Sequence, residues 1–282
     1  MKVDVIGSNS LLFANLPPAS QVPGRTYRVS NVGPAPGILL TSDGTKYRPA
    51  GGRQVLASRM LNPVTVQDMT AGGVDVESIG PFPGGLVRAG MRLDLKVRVN
   101  SSAISTGVRN WFLKINGASF RQNQTNVSAA KIEGYIQGGI DVLLDGFGPH
   151  SPFLFINSDE RAMDVSNIVD FNADFSAPWS ASIAARSAAE TAVNISSATW
   201  AGGVATFNTS TAHTLAVGDK TVIASVTPSG YNIPAGAIVL SVPTTTQFTV
   251  AMAADPGAYT SGGTSSRISN MISQSYVLEL IG

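Results

Sequence analysis

The sequence contains no cysteine and only two histidines, His150 and His213. Without cysteine, neither a disulfide framework nor a thiolate metal site can form. The sequence also lacks a run of about 18 consecutive apolar residues, which is the length that predicts a membrane-spanning helix. We therefore predict no membrane partner for the 282-residue chain.

Charged residues are scarce. They make up 13% of the chain, with a formal net charge of +1, whereas an average globular protein has about 25%. A nucleic-acid partner is not expected, because binding to phosphates needs clustered Lys and Arg. A low surface charge favours burial of surface between subunits, and we predict self-association as a homotrimer. The alternative is a β protein whose surface is solvated by Thr and Ser.

Motifs that carry catalysis are missing as well. The sequence has no Gly-rich phosphate loop, His-Glu-x-x-His pattern or Gly-x-Ser-x-Gly pattern. It therefore contains no motif of this kind that would place a nucleophile beside a base. We predict that the chain is not an enzyme and holds no cofactor or metal. His213 is expected to have a structural role, and His150 with loose acids supplies too few ligands for a metal site.

One acidic cluster lies between residues 141 and 174. Its members are Asp141, Asp145, Asp159, Glu160, Asp164, Asp170 and Asp174. Two carboxyl groups flanking a glycosidic bond could cleave a polysaccharide, but nothing in the sequence selects a pair. The simpler interpretation is an acidic solvated loop. A third interpretation is that the cluster forms an acidic patch, which faces the basic first 100 residues of another subunit.

Residues 56–193 show the pattern of short strands separated by turns. Residues 91–99 alternate between apolar side chains for a core and the outward charges Arg92, Asp94, Lys96 and Arg98. Further strands are expected at 74–79, 111–115, 131–136, 140–144, 152–156, 165–171, 176–185 and 276–280. Trp111 and Trp179 lie in such strands and are expected in the core. Short strands at this spacing predict an all-β, jelly-roll-like sandwich.

The first 55 residues differ from these strands. They carry six prolines and seven glycines, which disfavours a helix and predicts an extended N-terminal docking arm. The apolar residues of the arm need a neighbouring surface. We expect docking on another subunit or another protein through Leu11, Leu12, Phe13, Tyr27, Leu39 and Tyr47.

Residues 194–270 form a second distinct segment, rich in Thr, Gly and Ala. Their only charged residues are Asp219, Lys220, Asp255 and Arg267. The gap between the strands 176–185 and 276–280 is too long for a hairpin loop. We predict a small β-domain inserted before the last strand; the alternative is a simple C-terminal domain whose last strand is 276–280. The predicted domains are thus the arm 1–55, the sandwich 56–193 plus 271–282, and the insert 194–270.

Three parts of the sequence resemble virion proteins of tailed bacteriophages. The insert resembles a small β-module of such proteins through His213-Thr214-Leu215, Val217-Gly218-Asp219, residues 226–232, Phe248-Thr249-Val250, residues 255–258 and residues 261–264. Residues 24–29 with 42–49 resemble an N-terminal segment of phage fibre-like proteins. The loop 79–90, with its Pro, Gly and Ala-Gly pattern, resembles loops that join opposite sheets in phage jelly rolls.

This resemblance implies a non-enzymatic virion surface protein, assembled in the host cytoplasm. The protein would be a tail-fibre or spike component, or a capsid-decoration protein, and would dock on other virion proteins through its arm. The alternative is a host-surface carbohydrate-binding adhesin or depolymerase, with host surface polysaccharide as its partner. A third interpretation is a free-standing bacterial β-sandwich binding module.

Overall fold

The fold is almost entirely β. The computed structural model describes residues 11–34, 37–60, 62–70, 72–101, 109–125, 132–145, 147–158, 163–165 and 171–282. Within these ranges the helical elements are single 3-10 turns, at Phe13–Asn15, Ala19–Gln21, Ala50–Gly52 and Ser229–Tyr231. The predicted all-β fold class is confirmed.

The strands fall into three groups along the chain. The arm contains β1 (Thr26–Val29), β2 (Ile38–Ser42) and β3 (Tyr47–Pro49). The sandwich begins with β4 (Arg53–Arg59), β5 (Val64–Val66), β6 (Val74–Phe82), β7 (Arg92–Ser101), β8 (Arg109–Ile115), β9 (Ala118–Thr125), β10 (Ile132–Asp141), β11 (Phe147–Ser158), β12 (Met163–Val165), β13 (Phe171–Asp174) and β14 (Trp179–Arg186). The insert contains β15 (Val193–Ala201), β16 (Val204–Thr209), β17 (Lys220–Thr227), β18 (Ile233–Thr244), β19 (Gln247–Ala251) and β20 (Ser261–Arg267), and β21 (Met271–Ile281) follows it.

Eight main strands form two antiparallel sheets with the order of a jelly roll. One sheet has the order β4-β21-β7-β10, and the other has the order β6-β14-β8-β9. Counted along the chain, the first, eighth, third and sixth main strands share one sheet, which is the arrangement that two Greek keys produce. Strands β11 and β13 extend the first sheet and β12 extends the second. The loop after β6 joins opposite sheets, as predicted.

The core lies between the two sheets. Strand β7 contributes the apolar residues that the alternation predicts, and all are buried: Leu93, Leu95, Val97 and Val99. Trp111 of β8 and Trp179 of β14 are buried in the same core, as predicted. Burial of apolar area at about 25 cal/mol per Å² is the main force that holds such sheets together.

Asp94 departs from the predicted outward set of β7. It lies on the outer face, yet it is only 2% exposed. Gln137 of β10 donates a hydrogen bond of 2.7 Å to its carboxylate, and Glu279 of β21 is its partner in register. Because β7 lies between β10 and β21, longer side chains on both neighbours cover the short Asp94. This burial raises the pKa of the Asp94 carboxyl, an effect that Lys96 opposes.

One predicted strand boundary is wrong, and another lies mostly outside the described residues. The sequence predicts separate strands at 131–136 and 140–144, whereas β10 runs without a break from Ile132 to Asp141 and residues 142–144 lie in the turn after it. Gly138 and Gly139 interrupt the side-chain pattern, but they pair in register with Leu95 and Asp94. The predicted strand 165–171 corresponds to the end of β12 and the start of β13, and residues 166–170 lie outside the described residues.

The arm forms a sheet of its own against the jelly roll. Its strands have the order β1-β2-β3, and the turn that Asp43-Gly44 predicts joins β2 to β3. Gly44 has a φ of +94° there, which a side chain would disfavour. The arm residues Val29, Val32, Ile38 and Leu40 are buried in one continuous core with the jelly roll. Much of the surface that the arm needs is therefore supplied by its own chain.

The insert is a closed six-stranded barrel with the order β15-β16-β19-β18-β17-β20. Its interior is a separate hydrophobic cluster. Phe207 stacks on Phe248 with a centroid separation of 5.4 Å, and Tyr231 meets Phe207 edge-on at 5.7 Å. The barrel therefore has the aromatic core that an independent small domain requires.

Two segments of chain connect the barrel to the jelly roll, and they pair with each other. Ala189 forms an antiparallel bridge with Ile268. The Ser269 amide donates to the carbonyl of Ala188 over 2.8 Å. The barrel is thus attached through a short paired stem and not through two independent linkers.

Side chains reinforce this stem. The Arg267 guanidinium lies 3.1 Å from the Glu190 carboxylate and 3.5 Å from that of Asp219. Gln67 of the jelly roll accepts a hydrogen bond of 3.0 Å from the Lys220 amide and donates one of 2.9 Å to the carbonyl of Ile268. These contacts fix the base of the barrel to the sandwich.

Candidate docking groove

A groove of about 300 Å³ lies between the arm and the jelly roll. Its lining is mixed, with an apolar wall of Phe13, Leu16 and Tyr47 and a charged rim of Lys46, Arg88 and Asp145. Ligand clefts of several hundred Å³ commonly combine apolar walls with a few polar groups. The groove therefore has the dimensions and the chemistry of a binding site.

Hydrogen bonds hold the start of the arm over this groove. The Tyr47 hydroxyl donates to the carbonyl of Pro17 over 2.8 Å. The Ser42 hydroxyl donates to the carbonyl of Ala19 over 2.7 Å. The Phe13 amide donates to the side-chain oxygen of Asn31 over 2.8 Å. The arm turns are thus fixed by β2, by β3 and by the loop after β1.

Two tyrosines support the apolar wall. Tyr27 meets Tyr47 edge-on, with ring centroids 6.1 Å apart. Burial raises the pKa of the Tyr47 hydroxyl, and the neighbouring Tyr27 raises it further. The hydroxyl therefore keeps the proton that it donates to Pro17.

Each charged group of the rim is held by a backbone contact. The Lys46 ammonium donates to the carbonyl of Ala89 over 2.5 Å, and the Asp145 carboxylate accepts from the Ala89 amide over 2.7 Å. Arg88 donates from its Nε to the carbonyl of Gly85 over 2.9 Å. The rim thus presents fixed charges of both signs above the apolar wall.

The β2–β3 turn places Lys46. The Asp43 carboxylate accepts hydrogen bonds from the Thr45 hydroxyl, from the amides of Thr45 and Lys46, and from Arg48. These hydrogen bonds hold the pKa of Asp43 well below its usual range, and the bond from the Thr45 hydroxyl has the largest effect. An ionised Asp43 therefore sets the turn at ordinary pH.

The six residues predicted for docking occupy different places. Phe13 and Tyr47 line the groove, and Tyr27 packs against Tyr47. Leu12 is 49% exposed beside Phe13. The remaining two lie elsewhere: Leu11 bridges Val29, and Leu39 lies on the other face of the arm sheet, opposite Arg28.

Sequence reasoning missed the charged rim. Lys46, Arg88 and Asp145 are far apart in sequence, and no local pattern links them. The closest available signal is the Pro/Gly-rich loop before Arg88, because its glycines permit the close approach of other chain segments. Gly84, for example, lies so close to the Ser176 carbonyl that a β-carbon at this position would clash with it.

Both histidines are buried among aromatic side chains. The ring of His150 lies 5.3 Å from that of Phe175, and the ring of His213 meets Phe248 edge-on at 5.5 Å. Nδ1 of His213 accepts a hydrogen bond from the Leu215 amide over 3.2 Å. The geometry of His213 fits the structural role expected from the sequence.

The predicted acidic cluster is not brought together as a site in the part of the chain that is described. Asp141 pairs with Arg92 at 2.5 Å, Asp145 caps the loop at the groove, and Asp174 accepts from the Ser176 amide and hydroxyl. Asp164 lies in β12, while Asp159, Glu160 and Asp170 fall outside the described residues. Among the described residues, no group of three or more His, Asp or Glu could hold a metal ion. The alternative in which two of these acids form a catalytic pair is therefore neither supported nor tested, and the absence of catalysis stays a prediction.

Comparison with known proteins gives no relative. No protein-family model, no curated protein and no solved structure matches the chain. The resemblance to phage virion proteins therefore remains a prediction from the residues quoted above. No helix in the described ranges has the length and apolar character needed to cross a membrane.

Proposed function

We propose that the chain is a non-enzymatic surface protein of a bacteriophage virion, acting through self-association and docking on other virion proteins. The observation that carries this proposal is the groove between the arm and the jelly roll. A cleft that places apolar side chains beside fixed charges of both signs suits a polypeptide partner, because protein interfaces combine apolar and polar surface.

Exposed apolar side chains beside the groove support a protein partner. The turn between β10 and β11 carries Asp145 of the rim, and it also exposes Leu143 and Phe147 by 60% and 71%. Leu12 is exposed on the arm side. Leu12, Leu143 and Phe147 neighbour groove residues in sequence, and exposed apolar side chains at such positions favour a contact with protein.

The architecture agrees with this proposal without deciding it. Jelly rolls occur in viral capsid proteins and also in lectins, and a fold alone does not assign a function. The low charge of the chain adds support, because surface buried between subunits needs few charges. A homotrimer in a tail fibre, a spike or a capsid decoration is compatible with the groove, the jelly roll and the low charge.

The experiment compares incorporation of variants into virus particles. Particles made without the chain are complemented with wild type, with Phe147→Ser or with the matched control Ile238→Ser, which alters an exposed apolar residue of the barrel. We expect wild type and the control to be incorporated, and Phe147→Ser to be lost from purified particles. Light scattering of each purified chain reports whether the trimer forms.

Two outcomes would contradict the proposal. The virion assignment fails if wild-type chain is absent from purified particles. The role of the groove surface fails if Phe147→Ser and a Phe13→Ser variant, whose altered side chain lines the groove, are both incorporated at the wild-type level. A thermal melt of each variant excludes unfolding as the cause of any loss.

A further inference from the structure

One wall of the barrel carries two rows of uncharged polar side chains on its outer face. The wall consists of β15, β16, β19 and β18, which are neighbours in that order. The first row, in cross-strand register, is Thr199, Thr206, Thr249 and Ser241, and the second is Ser197, Asn208, Gln247 and Thr244. Each row therefore crosses all four strands.

The members of each row hold one another in place. The Ser241 and Thr249 hydroxyls are 2.7 Å apart. In the second row, the Asn208 amide donates to the Ser197 hydroxyl over 2.9 Å, and Gln247 donates to the Asn208 oxygen over 2.9 Å. All eight side chains remain partly or fully exposed. The wall thus offers a fixed array of hydroxyl and amide groups to solvent.

This wall has no charge. The structure describes every residue of β15, β16, β18 and β19, and none of these is Asp, Glu, Lys or Arg. The four charged residues of the insert lie on β17, on β20 or in loops. Solvated sheet faces normally carry interspersed Lys and Glu. A four-stranded face without any charge is therefore unusual for a surface that only meets water.

We propose that this wall binds a neutral polysaccharide. A phosphate-bearing or acidic ligand would find no cation on it, and a cationic ligand would find no carboxylate. Ile238 and Leu240 of β18 are exposed as well, but a large apolar partner would meet hydroxyls and amides along both rows. A neutral glycan chain matches the array, because its hydroxyls can both donate to and accept from Ser, Thr, Asn and Gln side chains.

The geometry of the sheet gives the array a regular spacing. Neighbouring strands lie about 4.8 Å apart, and alternate residues along a strand lie about 7 Å apart. A flat, extended glycan can therefore contact several side chains at once. Many weak hydrogen bonds to an ordered array lose little side-chain entropy on binding, which favours affinity. This inference concerns the barrel alone and does not depend on the groove or on the virion proposal.

Affinity electrophoresis of the whole chain tests the inference. The gels contain dextran, galactomannan or mixed-linkage β-glucan, with polygalacturonate and heparin as acidic comparators. The test variant is Thr206→Val/Thr249→Val, which removes two hydroxyls but keeps side-chain shape and strand propensity. The matched control is Thr264→Val on β20, a strand outside this wall.

We expect at least one neutral polysaccharide to retard the wild-type chain and the control equally. The double variant should bind about tenfold more weakly, since each lost hydrogen bond contributes modestly. The inference is overturned if no neutral polysaccharide retards the chain, if only the acidic ones do, or if the double variant binds as wild type. It is also overturned if the double variant changes the oligomeric state, because the wall would then be a contact between copies of this chain.

Discussion

The arm and the barrel are both additions to the jelly roll, but they are joined to it in different ways. Buried arm residues such as Val29 and Leu40 belong to the jelly-roll core, whereas the barrel closes around Phe207 and Phe248 in a core of its own. The arm is therefore part of the folding unit that it covers. The barrel is a unit held by its stem. A segment that looks irregular in sequence can thus be the more integral of the two.

The largest expected effect comes from truncating the arm's contribution to the shared core. Leu40→Ala should lower the free energy of unfolding of the jelly roll by about 2–5 kcal/mol, because it leaves a cavity in a packed core. Leu39→Ala is the matched control, since Leu39 lies on the other face of the same strand and is only partly buried. Urea denaturation measures both. Equal losses for the two variants would show that the arm does not share the core.

A smaller effect is expected at the stem. Arg267→Ala removes contacts to two carboxylates that are mostly buried, and should cost about 1–3 kcal/mol. The control is Arg53→Ala, whose side chain is 51% exposed where it contacts Glu279, so little change is expected. Hydrogen exchange at residues 187–192 and 266–270 should rise in Arg267→Ala alone. Unchanged exchange there would mean that backbone pairing suffices to hold the stem.

Asp94 should produce a weaker, pH-dependent effect within the jelly roll. Burial raises the pKa of its carboxyl in the folded chain, so its contribution is most favourable below the ordinary Asp value and is lost as pH rises through the folded pKa. Asp94→Asn should therefore flatten the fall in stability above about pH 4. Denaturation midpoints measured from pH 4 to pH 7 test this expectation.

The control for Asp94 has the opposite sign. The Ser176 hydroxyl and amide lower the pKa of Asp174, so that residue favours folding above the ordinary Asp value and loses this contribution as pH falls. Asp174→Asn should leave the trend above pH 4 in place. If Asp94→Asn shows the same pH profile as wild type, the buried carboxyl does not govern it.

The smallest expected effect on the jelly roll follows removal of the barrel. Val193 pairs with Ser265 across the barrel mouth, so a Gly/Ser linker of about four residues can replace residues 194–264. The stem residues Ala188, Ile268 and Ser269 remain. Calorimetry should show one cooperative transition near that of the jelly roll in the full chain. Loss of that transition would show that the barrel is needed to fold the sandwich.

Most of the fold prediction was based on the alternation of apolar and polar side chains. The uninterrupted pattern of residues 91–99 and the gap between the last two predicted strands were sufficient for a sandwich with an insert. Such patterns are local, so they survive without knowledge of the partner strand. The Gly138-Gly139 pair shows the limit, because two residues without side chains give no signal while their backbone continues the ladder.

The groove could be predicted only in part. The apolar residues Phe13 and Tyr47 stand out in a Pro/Gly-rich segment, and both line it. In the charged rim, Lys46 and Asp145 both bond to the backbone of Ala89, the residue after Arg88, and these contacts depend on the three-dimensional arrangement of separate loops. The same holds for Ile38-Leu39-Leu40, whose sequence does not say which residues face the jelly roll.

The position of β21 has a consequence for the order in which the protein forms during synthesis. β21 lies between β4 and β7, one strand from the edge of its sheet, but it is made after the whole barrel. The barrel consists of strands close in sequence and can fold during translation, before β21 has been synthesised. In the first sheet, by contrast, the position between β4 and β7 stays unfilled until β21 emerges. The nascent jelly roll therefore exposes two unpaired strand edges for as long as the barrel takes to be translated.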